Sequence, residues 1–176
     1  MNKLKIITDA DFGGEQIILS KIDRFAARGI LYGADSKIAV MRMGRIGCHK
    51  LPGGGVEKGE SPEAAFMREV LEETGYQSEI THAFGYIDEY KGRSGFSQRS
   101  YCYAGKATQK GCPALTKKET DLGLSLEWMD AWDALLKIEG YLHSFEEYTI
   151  RFMFLREATI LRKALELGIG MMNGNE

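Results

Sequence analysis

Soft and imidazole metal ligands are scarce in this 176-residue chain, which has three cysteines and three histidines. The cysteines (Cys48, Cys102 and Cys112) are odd in number and far apart, which argues against a disulfide framework and for reduced thiols in a cytoplasmic setting. Cys48-His49 with His82 has no Cys-x-x-Cys or His-x-x-x-His spacing, so nothing here supports zinc. Neither sign of charge dominates: 23 Lys and Arg against 25 Asp and Glu leave a net charge of −2. That balance gives no footprint for a nucleic-acid or membrane surface. No apolar run is long enough to span a bilayer. Residues Met1–Asp9 lack the apolar centre and cleavage site of a signal peptide. Repeats, low-complexity tracts and evident linkers are also missing. What remains is 44% hydrophobic and 27% charged, an ordinary composition for one domain with a substantial core.

Alternation and β-branched content predict strands over Lys3–Thr8 and Gln16–Asp23, with a turn at Asp11-Phe12-Gly13-Gly14. Arg28–Tyr32 and Ile38–Met43 flank Gly33-Ala34-Asp35-Ser36 and read as a hairpin. Arg45–His49 reads as a loop leading to Lys50-Leu51-Pro52 and a glycine turn. Ser78–Tyr90 and Ser97–Ala107 are strand candidates, and so is Leu124–Met129. A helix is expected near Trp132–Ile138. A longer amphipathic one follows from about Phe145 to Leu167, with Phe152, Leu155 and Thr159 on one stripe and Phe154, Ala158, Leu161 and Leu165 beside it. Trp128 and Trp132 are expected in the core, and residues 168–176 read as a frayed tail. Strands and helices in this order suit a mixed sheet between helices.

The densest segment is Gly54–Gly75. Ser61 can cap a helix, Pro62 suits its first position, and Gly75 can end it in a left-handed conformation. Steps of about 100° per residue place Glu69, Glu72 and Glu73 in one narrow stripe. Ala64, Met67 and Leu71 fall opposite, with Val70 at their edge, so one face is expected to meet a core and the other a cation. Like charges three and four residues apart destabilise a helix by roughly 0.2–0.5 kcal/mol per pair. Arg68 can offset part of this by pairing with Glu72. A hard divalent cation held by carboxylate and carbonyl oxygens would turn the remaining repulsion into binding. Glutamates on a helix are usually solvated, and an isolated Glu-x-x-Glu-Glu would be read that way.

The surrounding spacing decides otherwise. Gly54, Glu60, Arg68, Glu69, Glu72, Glu73 and Gly75, with apolar Val70, resemble the signature box of the Nudix hydrolases. Seven such positions match by chance on the order of once in 10⁸ placements. Tyr76 departs from the aliphatic residue more frequent there, which touches packing and not chemistry. The resemblance implies a Nudix-type α/β/α sandwich with a mixed β-sheet. It also implies hydrolysis of a phosphoanhydride in a nucleoside diphosphate linked to another moiety, such as ADP-ribose, an ADP-sugar or a nucleoside triphosphate, using water and Mg²⁺ or Mn²⁺. On the matching positions, Glu72 and Glu73 would bind metal with the backbone carbonyl of Gly53. Glu69 would be a ligand or the base that deprotonates water. Arg68 and Glu60 would hold the helix against its loop, and Glu57 either joins them or is an exposed turn carboxylate.

Outside the box the residues leave more open. A further carboxylate is expected from a later loop, with Glu119 or Asp121 preferred and Asp88 and Glu89 as weaker contenders. Tyr90, Arg93, Phe96 and Arg99 could meet a base or phosphates from the Lys91–Phe96 tip. A ligand-sensing module without hydrolysis is an alternative, against which the box is intact and no helix-turn-helix segment is left over. Removal of pyrophosphate from an RNA 5′ end is another, and the balanced charge weighs against nucleic acid. The domain is expected to span 1–176, with 1–27 as an N-terminal strand extension before a core over 28–167. That extension is expected in the interface of a homodimer, or else folded back on its own domain as a monomer.

Overall fold

In chain order the computed structural model, which describes residues 1–169, contains β1 (Lys3–Thr8), β2 (Arg24–Tyr32), β3 (Ile38–Met43), β4 (Cys48–Lys50) and β5 (Gly53–Gly55). These are followed by α1 (Pro62–Thr74), β6 (Tyr76–Lys91), β7 (Phe96–Lys110), α2 (Lys117–Asp121), β8 (Leu124–Met129), α3 (Ala131–Ser144) and α4 (Tyr148–Glu166). Helix boundaries follow local chemistry. Ser61 Oγ accepts the Ala64 N–H at 3.2 Å, Pro62 opens α1, and Gly75 closes it at φ +76°. Glu147 caps α4 through the N–H groups of Thr149 and Ile150, which starts that helix three residues later than its periodicity suggests.

The eight strands form one mixed sheet in the order β1-β6-β7-β2-β3-β4, with β5 added to β2 and β8 to β3. The β1–β6 and β2–β7 pairs are parallel and the other pairs antiparallel. Helix α1 covers one face through Ala65, Phe66 and Val70, which pack with Ala27, Leu31, Ala39 and Tyr103. Helices α3 and α4 cover the other, where Ile138, Phe152, Phe154, Ala158 and Leu161 join Ile30, Val40, Leu51, Ile87 and Cys102. This is the expected α/β/α sandwich.

Several expectations are corrected. Gln16–Asp23 is not a strand. β7, the strand it runs toward, is already paired on both sides, by β6 and by β2 from Arg24 onwards, and Ile17 and Ile18 stay exposed. The last part of the Arg45–His49 loop instead enters β4, and the glycine turn at Gly53–Gly55 is itself a strand. Met67 and Leu71 face outward at 39% and 40% exposure. The acidic stripe therefore lies beside the packed face of α1 and not opposite it, with Glu73 buried among the apolar residues. Trp132 is 55% exposed because it steps off the buried Ala131, Ala134, Leu135 and Ile138 stripe of α3. Trp128 is half-buried, edge-on to Tyr76 with ring centroids 5.4 Å apart. The N-terminal strand folds back on its own sheet, pairing with β6 from Lys3↔Tyr86 to Thr8↔Tyr90 with a register shift between Lys3 and Lys5.

Phe154 is fully buried against Tyr141 and Phe145, at centroid distances of 5.0 and 5.2 Å. Phe154→Ala should lower stability by about 3–5 kcal/mol through lost burial and an unfilled cavity, measured by urea unfolding.

Candidate functional site

Glycines let β5 run close under α1 at Gly54 and close against β2 at Gly53. Gly53 has φ +132°, and a Cβ there would overlap the Ala27 carbonyl and the Arg28 side chain. At Gly54 a Cβ would collide with the Glu69 carboxylate. A side chain of any size at Gly54 would therefore push Glu69 away from the strand. The pairing of β5 with β2, Arg28↔Gly53 through Ala26↔Gly55, fixes the height at which these glycines meet the helix.

Arg68 ties the helix to that strand. Its Nε and Nη2 donate to the two oxygens of Glu60 at 2.9 and 3.0 Å, and Nη2 also donates to the Gly55 carbonyl at 2.9 Å. Nη1 donates to Glu69 at 3.0 Å and to Glu72 at 3.1 Å. The Glu60 hydrogen bond holds the guanidinium above its ordinary pKa, and in return Arg68 holds Glu60 below the usual carboxylate range. Glu57 joins through its backbone N–H, which donates to Glu60 at 3.0 Å, while its side chain is exposed.

On the inner side of α1, carboxylate oxygens of Glu69, Glu73 and Glu119 lie within 4.8 Å of one another. Burial pushes Glu69 above the usual carboxylate range, and the Glu73 charge adds to this against the pull of Arg68. Glu73 is fixed from two sides: its Oε2 accepts the Gly53 N–H at 3.0 Å and its Oε1 the Lys50 ammonium at 2.5 Å. Lys50 Nζ also donates to the Gly53 carbonyl at 3.4 Å. Glu119 stands on α2, a short helix absent from the sequence expectation, where one oxygen closes a capping box on Thr116. Glu72 stands one step outward, paired with Arg68 and 39% exposed. Three carboxylates and a carbonyl are a hard, all-oxygen donor set, which fits Mg²⁺ or Mn²⁺ and not a soft metal.

A buried chain of charges braces the turn from behind. Glu157 of α4 accepts the Leu51 N–H at 3.3 Å and lies 3.7 Å from Arg28. Arg28 Nη1 in turn donates to the Gly53 carbonyl at 3.5 Å. Arg156 donates to Glu157 at 2.7 Å and to both oxygens of Glu89 at 3.2 and 3.0 Å, and Gln98 completes Glu89 at 2.9 Å. Burial, with Arg156 nearby, pushes Arg28 down to about 10. Against burial, the Glu89 and Glu157 charges hold Arg156 above its ordinary value. Two positive and two negative groups balance in this layer, which is what makes their burial tolerable.

The structure thus brings Glu69, Glu73, Glu119 and Gly53 together and sets Arg68 and Glu60 beside them. The other candidates are spent elsewhere. Arg99 grips Asp88 at 2.7 and 3.0 Å and lies over the Tyr86 ring. Arg93 lies over Tyr148, Tyr90 is buried, and Glu89 belongs to the buried chain. Sequence reasoning assigned no role to Lys50, Arg28, Arg156 or Glu157. The last two carried a signal, since an Arg-Glu pair inside the buried stripe of an amphipathic helix needs partners across the core.

Residues 23–149 match the family model described as NUDIX domain. A mouse ADP-sugar pyrophosphatase is 58% identical over 33 residues, 19% of this chain and 15% of that protein. The human diphosphoinositol polyphosphate phosphohydrolase NUDT4B is 26% identical over 125 residues, 71% of this chain and 59% of its own length. The chain therefore spans less than two thirds of these relatives. Among solved structures, a NUDIX hydrolase from Nitrosomonas europaea superposes with a TM-score of 0.57 at 19% identity, covering 80% of this chain and 92% of that one.

Substitutions at the two inner glutamates should separate by stability in the absence of metal. Glu69→Gln removes a carboxylate that burial disfavours, so its melting temperature should hold or rise near neutral pH. The advantage should fade as pH falls and wild-type Glu69 takes up its proton, because a carboxyl with a raised folded-state pKa costs stability only once ionised. Glu73→Gln strips Lys50 of its counter-charge and should cost on the order of 3 kcal/mol, or about 6–12 °C. Calorimetric melts of both variants across pH 5–8 check this.

Proposed function

The chain belongs to the NUDIX family, and from that premise we propose that it is a metal-dependent hydrolase of a phosphoanhydride in a nucleoside diphosphate linked to another moiety. The observation that carries this reading is the convergence of Glu69, Glu73 and Glu119 beside the Gly53 carbonyl. A relative named ADP-sugar pyrophosphatase, alike over 33 residues, supports ADP-ribose or an ADP-sugar as the first substrates to try, with nucleoside triphosphates next. A divalent cation bound there would offset phosphate charge and lower the pKa of water. Glu69, Glu73, Glu119 and the Gly53 carbonyl would hold it, with Glu72 reaching in from the next position, since it shares Arg68 Nη1 with Glu69.

The protein's own groups divide the remaining work. As the alternative to holding metal, Glu69, its proton affinity raised by burial, is suited to accept a proton from an attacking water. Arg68 and Glu60 keep the Glu69 carboxylate in one orientation, as proton transfer requires. Phosphate contacts from Arg99, Arg93 or Tyr90 would require their internal pairs to open. Among the described residues no helix is long and apolar enough to cross a membrane. The three free cysteines support a reducing, cytoplasmic setting.

A phosphate-release screen over ADP-ribose, ADP-sugars, nucleoside triphosphates, dinucleoside polyphosphates and coenzymes should find turnover with Mg²⁺ or Mn²⁺. That turnover should vanish in excess chelator and return with the metal, and full turnover of metal-free protein would overturn the reading. Glu69→Gln should lower kcat on the order of 10²–10⁴-fold.

A homodimer through the N-terminal segment is also proposed. Among the described residues β1 ends the sheet with one edge unpaired, Ile6 on it is partly exposed, and Ile17 and Ile18 of the N-terminal segment expose apolar side chains. Light scattering of the full chain should give a dimer mass, and a monomer mass at micromolar concentration would refute it.

A further inference from the structure

Among the described residues Lys50 is the cationic side chain that touches both the Gly53 carbonyl and the Glu73 carboxylate of the candidate cation site. Its ammonium sits 2.5 Å from Glu73 Oε1 and 3.4 Å from the Gly53 carbonyl, with the side chain only 14% exposed. Glu73 is 2% exposed and faces Glu69, whose carboxyl is itself disfavoured by burial. Arg68 turns its fork to Glu60, Glu69 and Glu72, and the hydrogen bonds to Glu73 come from Lys50 and Gly53. The nearest positive charge available to Glu73 is therefore Lys50.

The geometry points to Lys50 as a resident counter-cation that a metal ion must displace, and that then serves the anionic substrate. The inference rests on the proposed metal-dependent reading of the same site. Two cations cannot share Glu73 Oε1 and the Gly53 carbonyl at these distances without strong repulsion, so occupancy by metal and by the ammonium is exclusive. Lysine suits such an exchange better than arginine: its charge is compact, its stem flexible, and no planar fork locks it in place. Once displaced, the ammonium stays within the few ångströms that its flexible stem can reach from the strand end at Lys50. The exchange would keep the acidic stripe stable before metal arrives and would return the positive charge to the phosphates afterwards.

The two roles predict opposite signs for one substitution. In Lys50→Met, Mn²⁺ should bind about five- to tenfold tighter without substrate, read from the loss of the free Mn²⁺ resonance by electron paramagnetic titration. The metal-free variant should melt below wild type, and Mn²⁺ should raise its melting temperature more than it raises that of wild type. For whichever substrate the wild type turns over, KM should rise severalfold while metal affinity improves. Lys50→Arg keeps the cation and should bind Mn²⁺ no more tightly than wild type. Lys50→Gln keeps a donor without charge and should repeat the tightening, which preserves the test if the methionine variant does not fold. Unchanged or weaker Mn²⁺ binding in both neutral variants, with a wild type that binds Mn²⁺ and hydrolyses substrate, would overturn the role of Lys50 alone. A wild type that binds no Mn²⁺ would overturn the metal reading and this inference together.

Discussion

Everything at this site depends on keeping several carboxylates close together in a half-buried space without driving the helix off the sheet. Arg68 supplies the main counterweight. It gathers Glu60, Glu69, Glu72 and the Gly55 carbonyl onto one guanidinium, so that charge which would fray an isolated helix instead fastens it to β5. The planar fork matters because each carboxylate is held at a fixed angle and not merely nearby. The glycines of β5 are the other half of the same constraint, since a Cβ at Gly54 would occupy the place of the Glu69 carboxylate.

The sheet turns this local arrangement into a rigid one. β5 is a short added strand, and its pairing with β2 alone would leave the Leu51–Gly53 turn weakly held. Glu157, 106 residues further along the chain, accepts the Leu51 N–H, and Arg28 reaches the Gly53 carbonyl from below. The candidate donors are thus clamped between α1 in front and a balanced layer of buried charge behind. Such a layer is poor value as stabilisation when compared with apolar packing, yet breaking it would leave an unpaired buried ion, so its members act as a unit.

Parts of this were readable from the chain alone. Ser61, Pro62 and Gly75 mark the ends of α1 because capping is local chemistry. The spacing of Gly54, Glu60, Arg68, Glu69, Glu72 and Glu73 pointed to the family, and the family model over residues 23–149 agrees. Of the later-loop candidates Glu119 and Asp121, it is the Glu119 carboxylate that lies with those of Glu69 and Glu73. Which way α1 faces was not readable. A helical wheel assigns Met67 and Leu71 to a core because they are apolar, but the fold buries Glu73 and Glu69 toward β5 and leaves Met67 and Leu71 at the surface. The Gln16–Asp23 segment failed as a strand for a related reason: alternation describes a residue's fitness for a sheet, while pairing depends on which edge the chain meets, and β2 takes the edge of β7 only from Arg24 onwards.

Short-range features are written into the chain: the caps of α1, the acidic stripe, the glycines that allow close approach, and the family to which they belong. These depend on contacts within a few residues, where the chain's geometry is set by bond angles and helical pitch. Tertiary structure alone decided that Lys50 pairs with Glu73, that Arg28 and Glu157 brace the turn, and that Arg99 and Glu89 are spent on internal partners. Those pairings join residues up to 106 positions apart, and nothing in local propensity encodes which charge will find which. The order in which strands pack selects the partners, and electrostatics then rewards only the pairs that the packing has already brought together.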